Sequence, residues 1–169
     1  MSTKSKILLA VAVIFLYLTW NVFTEMNNNR GYAPVQPFPF SHKIHAGDNK
    51  IPCLYCHSNA ERSTAATVPS MHTCMGCHNM VATGKPNIQN LRKTYSEGKV
   101  IEWIRIHRVP DFVYFNHSMH IAKGIACQTC HGPVEKMEVA YQFRRLNMGD
   151  CVTCHRENKA SIQCNTCHN

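Results

Sequence analysis

Acidic residues are scarce in this sequence: 10 Asp and Glu stand against 18 Lys and Arg in 169 residues, leaving a formal charge of +8. An excess of that sign points to anionic partners, either nucleic acid or an anionic membrane surface. No small-residue cleavage site follows the one long apolar run, which argues against a cleaved signal peptide. No cysteine is left over, because all 10 fall into CxxC pairs. No nucleophile–base pattern is present either, so nothing marks the chain for covalent catalysis.

The apolar run is "ILLAVAVIFLYLTWNVF", Ile7–Phe23, with Lys4 and Lys6 ahead of it. At helical rise it covers about 26 Å, close to what a bilayer core demands. Tyr17 and Trp20 stand near its far end, where interfacial aromatics are favoured, and the lysines in front imply an N-in orientation. Residues 1–24 are therefore expected to be an uncleaved, single-pass anchor in the lipid bilayer. Residues 25–39, with Asn27–Asn29 and prolines at 34, 37 and 39, read as a linker, or as a strap lying extended on a partner subunit.

Residues 40–169 form the exported domain. Within it only 79–112 is a long cysteine-free stretch. There "IQNLRKTYSEG" (Ile88–Gly98) has apolar residues at 88, 91 and 95 and a glycine stop, which predicts a short helix. The β-rich segments Val100–His107 and Asp111–Phe115 predict a small strand pair. Elsewhere Gly, Pro and Cys punctuate the chain, so regular structure should be sparse.

The cysteine pairs are Cys53/Cys56, Cys74/Cys77, Cys127/Cys130, Cys151/Cys154 and Cys164/Cys167, and each is followed directly by a histidine: His57, His78, His131, His155 and His168. With 11 His in the chain, five such coincidences point to covalent c-type haem attachment. Cysteines at i and i+3 share one face of a helical turn and can bond the two vinyl groups of one haem. The His at i+4 then becomes the proximal iron ligand. Zinc sites built from CxxC pairs would not need a His after every pair, and CxxC disulfides would leave those His unused. Five haems, each with two propionates and one net positive charge at its ferric porphyrin centre, add about −5 to the formal +8, leaving about +3. A nucleic-acid partner then has little support.

Two further elements repeat. "FSHKIH" (Phe40–His45) and "FNHSMH" (Phe115–His120) each precede a CxxCH motif by about a dozen residues or fewer. The pattern resembles the class III multihaem cytochromes of the c3 and c7 types. That resemblance implies a fold of short helices around stacked haems, in which the first His of the element binds the next haem and the second reaches to another. Carried over, His42 would ligate the Cys53 haem, His45 the Cys74 haem, His117 the Cys127 haem and His120 the Cys151 haem. The domain would then comprise a two-haem module (40–78) and a three-haem module (115–169). For the Cys164 haem, His107 is the favoured sixth ligand and Met148 the alternative, as Met/His ligation is common. His72 has the least support and should be exposed.

Longer stretches, "PFPFSHKIHAGDNKIPCLYCHS", "VPSMHTCMGCHN", "RIHRVPDFVYFNHSMHIAKGIACQTCHGPVEKM" and "LNMGDCVTCHR", are together similar to the membrane-anchored pentahaem subunit of alternative complex III. Its relatives include the multihaem subunit of menaquinone reductase complexes. The resemblance implies an electron-transfer subunit without a catalytic site of its own, at the periplasmic face of a bacterial cytoplasmic membrane. Electrons would reach it from polytopic quinol-oxidising subunits and an iron–sulfur subunit, and leave to a monohaem cytochrome or a terminal oxidase. A free-standing anchored redox shuttle is one alternative. Another is a quinol dehydrogenase acting by itself, for which Glu25 is the nearby carboxylate.

Overall fold

The computed structural model describes residues 2–26 and 29–168, with the backbone alone at Glu25 and Met26. Asn27 and Asn28 of the linker, the Glu25 carboxylate and Asn169 lie outside the described residues. The first element, α1 (Thr3–Met26), is longer than the apolar run at both ends. Its stretch Thr3–Thr24 is long and apolar enough to cross a membrane. The polar residues of its second half turn back on their own helix. Thr19 Oγ1 donates to Leu16 O (2.9 Å), Asn21 Nδ2 to Tyr17 O (2.8 Å) and Thr24 Oγ1 to Asn21 O (3.0 Å). Such back-bonding lowers the cost of placing them in an apolar surrounding.

The rest of the chain is built from short helices. All five CxxCH motifs are helical: α2 (Cys53–Cys56), α3 (Met71–His78), α6 (Cys127–His131), α7 (Met148–Glu157) and α8 (Cys164–Cys167). Three of them start at the first cysteine, after an extended Pro52, Ala126 or Gln163. The expected helix in the cysteine-free stretch is α4 (Pro86–Ser96), with proline in its first turn and Gly98 just beyond it at φ +66°. The remaining α5 (His117–Ala122) is capped by Asn116, whose side chain accepts from Met119 N.

The strand pair expected over Val100–His107 and Asp111–Phe115 does not form, and no strand occurs among the described residues. Other partners have taken the ladder groups. The Gln36 amide donates to Ile104 O (3.0 Å) and accepts from Ile104 N (2.9 Å), doing alone what a paired strand would do. Asn29 Nδ2 donates to Ile106 O (3.1 Å), Arg108 N donates to Gln142 Oε1 (3.2 Å), and Tyr114 N donates to Cys167 O (2.9 Å). β-Propensity gave the local extended backbone but not a neighbour to pair with.

The strap also departs from expectation, since it lies on its own domain. Gly31 N donates to Gln142 O (2.7 Å) and Gln142 N to Tyr32 O (3.0 Å), so the fully buried Gln142 binds the strap from both directions. Further on, Phe38 enters a small apolar cluster with Met75 of α3 and Ile88 and Leu91 of α4. Beyond these four, Ala60 and Met137 are the other buried hydrophobics among the described residues. So thin an apolar core makes each member matter. Phe38→Ala should cost the haem-loaded domain about 3 kcal/mol, read as a lower midpoint in denaturant with haem content unchanged. A loss well under 1 kcal/mol would remove Phe38 from the core.

Candidate functional site

The two repeated His elements pack across modules rather than within them. The first runs through a π-helical turn, Lys43–Asp48, and sits on the 3-10 turn Val134–Lys136 that follows the third cysteine motif. Lys43 N donates to Met137 O (2.9 Å), Ser41 Oγ to Glu138 Oε2 (2.7 Å), and Gly47 lies against the Glu135 carbonyl with no room for a Cβ. The second element, α5, sits on the loop after the 3-10 turn Ser58–Glu61 that follows the first motif. His117 N donates to Thr64 O and Ser118 N to Ser63 O, both at 3.2 Å. Each module thus holds the other's histidines.

The phenylalanine two residues before the first His has a role in this. Phe40 meets the His42 edge at 4.9 Å and stacks on His45 at 4.4 Å; Phe115 meets the His117 edge at 4.7 Å and stacks on His120 at 4.5 Å. One ring therefore sets the mutual orientation of two imidazoles, and does so twice. The repeat was visible in the sequence, but the stacking was not.

Imidazoles from these elements face those of the cysteine motifs in four pairs. Ring centroids are 6.5 Å apart for His42 and His57, 6.0 Å for His45 and His78, 6.4 Å for His117 and His131, and 6.0 Å for His120 and His155. Two metal–nitrogen bonds of about 2 Å and two ring half-widths of about 1.1 Å add to about 6.2 Å. The donor set and spacing fit an iron between each pair. His42–His57 and His117–His131 are both inclined by 13°, the same geometry at corresponding places in the two modules.

Backbone carbonyls fix most of these rings. The Nδ1–H of His57 is directed at Thr67 O, His78 at Val81 O, His155 at Ser161 O, His168 at Phe112 O, His45 at Ser41 O, His117 at Thr64 O and His120 at Asn116 O, all between 2.6 and 3.1 Å. With Nδ1 committed, Nε2 is the nitrogen left for a metal. Burial, with smaller contributions from neighbouring imidazoles, holds His42 and His131 down to a pKa of about 4, so both are neutral and keep a lone pair at neutral pH. The Nδ1 of His42 is buried without a partner.

Three candidates stand apart. His107 lies beside His131, its Nε2 3.3 Å from His131 Nδ1 and its ring centroid 4.5 Å away, and burial lowers its pKa. No imidazole makes a ring contact with His168 among the described residues. Met148, at the start of α7, leaves its side chain 61% exposed. The exposed His72 has its Nδ1 3.3 Å from Tyr95 Oη.

No disulfide joins the 10 cysteines, and among the described residues no three His, Cys, Asp or Glu side chains converge as a bare-metal site. Instead they form a file. Cys56 lies near Cys74 and Cys77, and Cys127 lies near Cys53. Cys130 is near Cys154 and Cys151, and Cys151 is near Cys167.

Comparison with known proteins agrees with this arrangement. Residues 113–169 match the family described as cytochrome c7 and related cytochrome c. Over 166 residues the chain is 31% identical to the menaquinone reductase, multiheme cytochrome c subunit of Nitratidesulfovibrio vulgaris, covering 92% of this chain and 77% of that protein.

Because Gly47 has no space for a side chain against Glu135 O, Gly47→Ala should lift the His42/His45 element from its seat. We expect mixed or high-spin signals from the first module's two irons and near-normal spectra from the others. Unaltered low-spin spectra throughout would show that the cross-module seat does not hold these histidines.

Proposed function

Given that the chain belongs to the multihaem c-type cytochromes, we propose that it is the electron-wire subunit of a membrane quinone oxidoreductase, of the alternative complex III type. It would carry five covalent haems and no catalytic site of its own. In this reading Cys53/Cys56, Cys74/Cys77, Cys127/Cys130, Cys151/Cys154 and Cys164/Cys167 form the thioethers. His57, His78, His131, His155 and His168 are proximal ligands, and His42, His45, His117 and His120 are the sixth ligands of the first four. Met148 takes the sixth position at the Cys164 motif, because the His107 Nε2 is engaged by His131. Each haem, when bound, would accept and release one electron.

The observation that carries the reading is the file of thiols. It orders the attachment motifs as Cys74, Cys53, Cys127, Cys151 and Cys164, with the crossing between modules where Cys53 meets Cys127. Tunnelling rates fall exponentially with distance, so a chain that brings successive attachment motifs next to one another has a geometry suited to passing electrons between them. The two end motifs are then the places of entry and exit. Partners on this reading are polytopic quinone-binding subunits, an iron–sulfur subunit and a monohaem cytochrome. Lys4 and Lys6, in the first turns of α1 ahead of its apolar run, support a haem domain on the periplasmic side of a bacterial cytoplasmic membrane.

Direction is a separate matter, because a row of haems conducts both ways. The name of the Nitratidesulfovibrio relative favours a second reading in which electrons run toward menaquinone. The complex purified from native membranes decides between them by rapid mixing. Quinol-driven haem reduction supports the first reading, and haem oxidation by added quinone from the pre-reduced state supports the second. A chain that purifies alone, with no co-migrating subunits, would leave the free-standing shuttle. Ligation is tested by His120→Ala, which should turn one low-spin haem high-spin and leave the other four as they were. An unchanged spectrum would break the pairing of His120 with His155.

A further inference from the structure

Seven of the imidazoles assigned to iron direct Nδ1–H at a backbone carbonyl. His131 does not. Its Nδ1 faces another imidazole, the Nε2 of His107 at 3.3 Å, with the two rings edge to face at 77°. His131 is paired on the other side with His117 at 6.4 Å, and His117 has its own Nδ1 on Thr64 O. The nitrogen of His131 that points to His107 is therefore the one turned away from a metal shared with His117.

We infer that His107 is a positioning residue for the haem at Cys127, accepting the Nδ1–H of His131 and so fixing the orientation and basicity of that axial ligand. This rests on the haem reading above. In it His107 is not an iron ligand, because the nitrogen that would bind iron is occupied.

The fold holds His107 for this task with unusual care for a residue outside regular structure. Ile106 O accepts from Asn29 Nδ2 at 3.1 Å, Arg108 N donates to Gln142 Oε1 at 3.2 Å, and His107 O accepts from Arg105 Nε at 3.0 Å. Gln142 is itself 1% exposed and also donates to Arg144 O at 3.0 Å, which leaves it little room to shift. The peptide units on both sides of His107 are thereby anchored, and the ring is aimed by backbone that cannot slide.

An acceptor on a ligand's free N–H raises the ligand's basicity and favours the more highly charged metal. Of the five proximal histidines, only His131 is assigned a side-chain acceptor. A side chain can be exchanged without moving the main chain, which makes the contribution measurable.

The test uses the complete complex from native membranes, with haem content, the number of low-spin irons and the five midpoint potentials as readouts. His107→Phe keeps a ring but has no acceptor: all five irons stay low-spin and one potential rises while four stay in place. His107→Gln restores an acceptor and brings that potential back toward wild type. A high-spin iron in either variant would make His107 a ligand and overturn the inference. So would five unmoved potentials in His107→Phe, or equal shifts in the two variants, since both describe simple packing. If His107→Phe does not assemble, His107→Gln still decides between ligand and acceptor by its low-spin count. Failure of the underlying haem reading is seen separately, as fewer than five haems in the wild type.

Discussion

An imidazole offered to a metal keeps a fixed place when its second nitrogen is held, and that constraint, met at every paired ring except His42, runs through the domain. Ordinary domains hold side chains by burying them in a large apolar core. Here the buried hydrophobic side chains among the described residues are Phe38, Ala60, Met75, Ile88, Leu91 and Met137. The work passes to directional bonds: a row of carbonyls at Thr67, Val81, Ser161, Phe112, Ser41, Thr64 and Asn116, each accepting from one ring. Each bond is worth about 1 kcal/mol net, too little to hold a fold. It is enough to choose a tautomer and a ring direction, which is what the metal needs.

The reciprocal seating of the two His elements turns two modules into one body. If each element lay on its own module, the modules would be free to hinge at 79–112, and the Cys53–Cys127 approach would fluctuate. Exchange of the elements closes the contact from both sides. Lys43 N on Met137 O binds the first element to the second module, and Ser118 N on Ser63 O binds the second element to the first.

Much of this was legible in the sequence, and the misses have a common cause. CxxCH spacing, the doubled Phe-x-His-x-x-His element, α1 and α4 all depend on residues within a few positions of one another, so local pattern was enough. The strand pair failed because a strand needs a neighbour, and the chain supplied Gln36 and Gln142 instead. Nothing in the sequence marks Gln36 as the partner of Ile104, 68 positions away. For His107, the favoured sixth ligand of the Cys164 haem with Met148 as the alternative, the sequence showed no neighbour. Its contact with His131 comes from how the 104–108 segment is anchored, and that is invisible from composition or spacing. The strap was read from its prolines as a linker or as a segment lying extended on a partner, and the ties that Phe38 and Gln142 make between it and the domain had no mark in the sequence.

That tie sets how far the domain can travel from a membrane. The apolar span ends at Thr24, and Asn29 is already bonded to Ile106 O and Gln142 Oε1. Five residues of fully extended chain reach at most about 17 Å. A domain of this size is about 35 Å across. A tether shorter than half the width of its cargo cannot carry a haem domain between distant partners. It can keep one face of the domain close to the end of the apolar span of α1. An anchored shuttle would instead need a slack linker in place of 29–38, and here that segment is spent on Gln142, Ile104 and the Phe38 pocket. The short tether, the interlocked modules and the single row of attachment motifs all restrict motion. Fixed cofactor spacing is worth that restriction only when the donor and acceptor are themselves docked in place.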